Sequence, residues 1–204
     1  VGRDGMVSSQ NAVSTRVGVE ILERGGNAID AAVGVGLALA VTLPRAGNLG
    51  GGGFMVVHLA DKDRTVAIDF REVAPALAHS NMYFSEDGEV DNAEYRFTHK
   101  SSGVPGTIAG FDHILREYGT MTWAEVIEPA LRLARDGIEV TDDLAMNLSG
   151  SKARLTNNPA TAAAFYKPDG SDYRSGETLR QPDLAWTLEQ LQMGGADAFY
   201  RGSI

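Results

Sequence analysis

A chain of 204 residues that is 43% hydrophobic and 22% charged has ordinary globular composition and enough length to bury a large core. Its net charge of −9 excludes a general affinity for nucleic acid or anionic membrane, since both need basic surface. It contains no cysteine, which rules out disulfides, thiolate zinc sites and a cysteine nucleophile.

In chain order, Asn11 to Arg24 sets Val13, Val17 and Ile21 four residues apart among Ser14, Thr15, Arg16, Glu20 and Glu23, which predicts an amphipathic helix stopped by Gly25-Gly26. A second helix starts at Asn27 or Ala28 and runs to Val41, with nearly every face apolar, so it is expected at the centre of a core. Gly34 and Gly36 weaken it by roughly 1 kcal/mol each relative to alanine, which makes sense if another element packs very close. Its apolar stretch, Ala31 to Val41, is about half of the ~20 residues that a membrane span needs. Pro44 ends it.

Next comes Arg45-Ala46-Gly47-Asn48-Leu49 and then Gly50 to Gly53, four glycines in a row. Such a run is conformationally costly and is kept where φ is positive or where something approaches the backbone closely. It lacks the Lys-[Ser/Thr] of a P-loop and leads into a strand, which argues against a phosphate cradle. Phe54 to Leu59 reads as a strand that is continuously apolar except for His58, Ala60 to Arg64 as a turn, and Thr65 to Phe70 as the second strand of a hairpin. Val66, Ile68 and Phe70 share one face; Thr65, Ala67, Asp69 and Arg71 share the other.

The pattern weakens from Glu72 to Lys100 and resumes at the turn Ser101 to Thr107, which opens a helix with Ile108, Phe111, Leu115 and Tyr118 at helical spacing. Thr122 and Glu125 form a capping box for a helix that closes at Gly137, and Thr141 caps a shorter one through Leu148. Asn157 to Arg180 is turn-rich, and Gln181-Pro182 starts a last helix that Gly194-Gly195 is expected to end. The whole chain reads as a single α/β unit over 1–204, helix-rich in its second half. It begins without Met and stops just after a Gly-Ser step, as a fragment of a longer chain would.

The candidate chemistry is sparse. His58, His79, His99 and His113 show no metal-ligand spacing, and no Gly-x-Ser-x-Gly elbow is present. No metal or cofactor is expected. Arg71 carries two readings: a structural ion pair with Asp69 along the strand face, or a receptor for a substrate carboxylate. The planar guanidinium suits the second, because it can donate two parallel hydrogen bonds.

Four stretches occur in order: Gly25 to Ala32, Gly47 to Phe54, Asp69-Phe70-Arg71-Glu72-Val73-Ala74-Pro75, and Gly103 to Gly110. They closely resemble the N-terminal part of the large subunit of γ-glutamyltranspeptidases, and Tyr118-Gly119-Thr120, Pro129 to Gly137 and Phe199 to Gly202 extend the likeness. The resemblance implies an N-terminal nucleophile hydrolase fold, an αββα sandwich of two stacked sheets between helix layers. It also implies a precursor that cleaves itself into a large and a small subunit. The threonine freed at the start of the small subunit then attacks the γ-glutamyl amide of glutathione or related compounds, with its own amino group as base.

Arg71 matches the family's α-carboxylate-binding arginine, while no residue of 1–204 matches the nucleophile motif, so none is assigned as catalytic. Asp69 and Glu72 are expected to orient Arg71, an expectation that comes from their position and not from the family. The expected partners are the small subunit and a γ-glutamyl compound, in a periplasmic or extracellular protein. A cephalosporin acylase, a poly-γ-glutamate depolymerase and a non-catalytic carboxylate-binding module remain as alternatives.

Overall fold

The computed structural model describes residues 2 and 4–204. These fall into two compact units, Val1–Asn48 with Asp112–Ile204, and Leu49–Phe111.

The larger unit is helical. Helix α1 (Ala12–Glu23) is capped by Asn11, whose side chain accepts from the backbones of Val13 and Ser14. Helix α2 (Ala28–Thr42) begins with a capping box in which Asn27 and Asp30 exchange bonds. The two helices pack together, with Val17 and Ile21 of α1 and Val33, Leu37 and Val41 of α2 all buried. Gly34 is what allows this approach: a Cβ there would lie 2.1 Å from Cδ1 of Ile21. The apolar α2 is thus the expected core helix, and a buried Ser14–Thr42 hydroxyl pair at 2.7 Å joins the two.

Helix α5 (Trp123–Asp136) starts at the expected Thr122/Glu125 capping box and lays Val126, Ile127, Ala130 and Ala134 on this core. Gly137 then takes a φ of 102°, a conformation that glycine adopts readily. Helix α6 (Asp142–Leu155) is capped by Thr141 as expected but runs a further seven residues past Leu148.

The turn-rich stretch holds more order than its composition suggests. It contains α7 (Pro159–Phe165), and β4 (Thr178–Leu179) pairs antiparallel with β3 (Ile138–Glu139). Within the last helical stretch, α8 (Pro182–Tyr200), the helix stops at the glycine pair as expected and is followed directly by a second short helical run. Gly195 breaks it with φ 58° and ψ −153°, and helix resumes to Tyr200.

In the smaller unit β1 (Phe54–Leu59) and β2 (Arg64–Asp69) form the expected hairpin, with Phe54 opposite Asp69 and Leu59 opposite Arg64. Val66 and Ile68 are half-buried while Thr65, Ala67 and Asp69 are exposed, so the two faces alternate as the sequence predicts. One feature departs from the apolar reading of β1: Phe54 and Val56 are 65% and 73% exposed. A continuous apolar run suits a strand covered on both faces, yet among the described residues the β1–β2 sheet has only two strands. The stretch after β2 also contains a short helix, α3 (Asn92–Phe97), which the weak periodicity there hides. Helix α4 (Thr107–Tyr118) begins in this unit, with Ile108 and Phe111 buried.

Candidate functional site around Arg71

Three of the recognised motifs meet behind Arg71 through the parts of them that lie in the smaller unit. The hairpin ladder continues past the strand ends through Gly53 N–H to Phe70 O at 3.3 Å and Phe70 N–H to Gly53 O at 3.0 Å. The carbonyl of Gly51 accepts from the backbones of Gly106 and Thr107 at 2.7 and 3.0 Å. This carbonyl therefore satisfies two of the donors left open at the start of α4. Val73 and Val104 form an antiparallel bridge. The ring of Phe70 packs edge-on against Phe111, 5.8 Å between centroids.

The glycines are explained by crowding. None of Gly47, Gly50, Gly52 or Gly53 has a positive φ. A Cβ on Gly52, however, would stand 2.4 Å from the Glu72 nitrogen and 2.7 Å from Cα of Arg71. One on Gly106 would reach 2.0 Å from the Phe70 carbonyl oxygen. The exception is Gly50, which would meet nothing within 4 Å. Gly52 and Gly53 therefore let the backbone pass directly behind the end of β2.

Arg71 itself is held at three points. Its backbone N–H donates to Oδ1 of Asp69 at 2.9 Å. Its Nε donates to Oε1 of Glu72 at 3.3 Å. Its guanidinium carbon lies 6.0 Å from the centre of the Phe54 ring. Asp69 thus holds the main chain instead of pairing with the arginine side chain, and the ion pair along the strand face is replaced by one to Glu72. Glu72's own backbone N–H, and after it the Arg71 side chain, keep its carboxyl below the usual range, so it stays ionised at neutral pH. Neither terminal nitrogen of Arg71 has a hydrogen-bond partner among the described residues, and its side chain is 63% exposed. A planar pair of donors on the end of a strand fits a carboxylate in two-point contact.

The other arginine beside the glycine run is engaged elsewhere: Arg45 binds Asp143 at 3.2 Å and Asn147 at 3.3 Å. Residues that sequence reasoning passed over are Phe54, read only as part of an apolar strand, and Asp30. Asp30 is fully buried and accepts from the backbones of Asn27, Thr120 and Met121 and the hydroxyl of Thr120. The Asn27-x-x-Asp30 spacing was the available signal for it.

Among the described residues no group of three histidines or carboxylates stands close enough to hold a metal ion. Nor is any described helix long and apolar enough to cross a membrane.

Known proteins resemble this chain over nearly its whole length. The glutathione hydrolase proenzyme of Escherichia coli K12 is 47% identical over 202 residues, which are 99% of this chain and 35% of the relative. The γ-glutamyltranspeptidase of Helicobacter pylori superposes with a TM-score of 0.96 at 40% identity, over 100% of this chain and 58% of that one. A cephalosporin acylase from Bacillus halodurans follows at a TM-score of 0.80 and 26% identity, over 98% and 37% of the two chains. The fold is accordingly that of the large-subunit portion of N-terminal nucleophile hydrolases. The chain spans about a third of the length of the E. coli relative. The family model described as gamma-glutamyltranspeptidase matches residues 14–204, and the chain belongs to the γ-glutamyltranspeptidase family.

Proposed function

We propose that residues 1–204 are the N-terminal part of the large subunit of an enzyme that cleaves γ-glutamyl amides, glutathione among them. The γ-glutamyl group passes through an acyl-enzyme to water or to an acceptor amino acid or peptide. In this reading Arg71 binds the α-carboxylate of the γ-glutamyl group.

The observation that carries it is the state of Arg71: an arginine held at its backbone N–H and Nε, with both terminal nitrogens unpartnered among the described residues, at the end of a paired strand. A charge-assisted, two-point contact both binds the glutamyl end and fixes its orientation, so that the amide bond is presented to the nucleophile. The nucleophile at the start of the small subunit, the oxyanion donors and the groups that grip the α-amino nitrogen lie beyond residue 204 of the same precursor. This segment supplies the carboxylate end of the site and the scaffold behind it. The protein acts in the periplasm or outside the cell.

The acylase, depolymerase and non-catalytic alternatives have no observation in their favour that this reading lacks. The test is release of p-nitroaniline from γ-glutamyl-p-nitroanilide by the full-length, self-processed enzyme, with and without an acceptor dipeptide. Absence of turnover in a correctly processed enzyme would overturn the proposal, as would turnover by residues 1–204 alone.

A further inference from the structure

Phe54 is a large aromatic side chain that is 65% exposed although it opens an apolar strand. Its pairing explains what the ring is near. Phe54 sits opposite Asp69 in the hairpin, so it emerges on the face that carries Asp69 and, two residues on, Arg71. The Arg71 guanidinium carbon is 6.0 Å from the ring centroid, at the outer edge of the range in which a cation is attracted to an aromatic face. Gly53, just before it, keeps its own backbone against the ring of Phe70, where a Cβ would come within 2.8 Å. The close contact at Gly53 therefore sets the start of β1, and with it the position of Phe54.

We propose that Phe54 is a positioning residue for the γ-glutamyl carboxylate, acting through Arg71; this rests on the reading of Arg71 as the carboxylate-binding group. An arginine side chain has a long flexible stem, and most of its freedom is lost if it is to hold an anion in one orientation. Asp69 fixes only the main chain and Glu72 only Nε. The ring fixes what remains, the tilt of the guanidinium plane, and removes water from one side of it. The edge bearing the two terminal nitrogens is then presented to the substrate. A lysine gains less from such a platform, because its ammonium has no plane to orient.

The test uses the full-length processed enzyme and γ-glutamyl-p-nitroanilide, with KM and kcat measured separately. Phe54→Leu keeps an apolar side chain and loses the ring face; KM for the donor is expected to rise about three- to fivefold, with kcat within about twofold. Phe54→Tyr keeps the face and is expected to restore the wild-type KM. Replacing Phe54 by phenylalanines of increasing fluorination drains the ring face with little change of shape, so KM is expected to climb with each fluorine. That series reads the proposal even if Phe54→Leu fails to fold. In an Arg71→Lys background the effect of Phe54→Leu should largely vanish. A KM that is flat across the fluorinated series, or equal impairment in Phe54→Leu and Phe54→Tyr, would overturn the role of Phe54 while leaving Arg71 untouched. An unchanged KM in Arg71→Lys alone would instead overturn the underlying reading of Arg71, and the role of Phe54 with it.

Discussion

Oδ1 of Asp69 accepts the backbone N–H of Arg71 at 2.9 Å, so a carboxylate two residues upstream fixes the turn from which the arginine is presented. The acceptor is a single oxygen, which asparagine can supply and alanine cannot. Asp69→Ala is therefore expected to raise the KM for a γ-glutamyl donor by about three- to tenfold, the effect of losing one hydrogen bond worth about 1 kcal/mol. Asp69→Asn should stay near wild type. Steady-state kinetics on the processed enzyme separates the two, and equal loss in both variants would mean that the charge, not the turn, matters.

Gly52 and Gly50 are neighbours with opposite surroundings. A Cβ at Gly52 collides with the backbone of Arg71 and Glu72, whereas at Gly50 it meets open space. Gly52→Ala is expected to destabilise by about 1–3 kcal/mol, since backbone has to move. Gly50→Ala is expected to stay within about 0.5 kcal/mol of wild type. Urea midpoints of the full-length enzyme check both, and KM should rise only in the first.

Asp30 is the buried carboxylate on which the start of α2 and the turn between α4 and α5 converge. Alanine there takes the acceptor away from several part-buried donors at once. A loss of roughly 3 kcal/mol is expected, with a smaller loss for Asp30→Asn. Equal urea midpoints for wild type and Asp30→Ala would contradict this role.

Tyr166 is buried and donates its hydroxyl to the carbonyl of Leu148 at 2.6 Å; burial pushes its phenol above the ordinary range. The folded form thus holds its proton more tightly than the unfolded chain does. The resulting stability is present in full below about pH 10, the unfolded value, and is lost as pH rises through the folded one. Tyr166→Phe should cost about 1 kcal/mol at neutral pH and flatten the decline in stability on the alkaline side. Unchanged steepness between pH 9 and 11 would contradict it.

The helices of the larger unit were legible because caps and periodicity agree: Asn27 with Asp30, Thr122 with Glu125, and apolar spacing along α2 and α5. What escaped notice is held by tertiary contact instead of local pattern. Two-residue strands such as β3 and β4 are too short to show alternation, and the helical run between Gly195 and Tyr200 is too short to show a period of its own after the stop that the glycine pair signals. At the site, the strand face and the position of Arg71 followed from period-two alternation. The division of labour between Asp69 and Glu72 did not, since three adjacent charges are compatible with several pairings. Phe54 was hidden by its apolar neighbours, which gave no reason to single out one ring.

The proposed contact between Arg71 and the α-carboxylate of a γ-glutamyl donor is tested most simply by one substitution. In the full-length processed enzyme, Arg71→Lys keeps the charge and removes the planar pair of donors. The expected loss is about 1.5–3 kcal/mol of donor binding, read as a rise of roughly ten- to a hundredfold in the KM for γ-glutamyl-p-nitroanilide. A KM within about twofold of wild type, in a variant that processes and folds normally, would contradict the account.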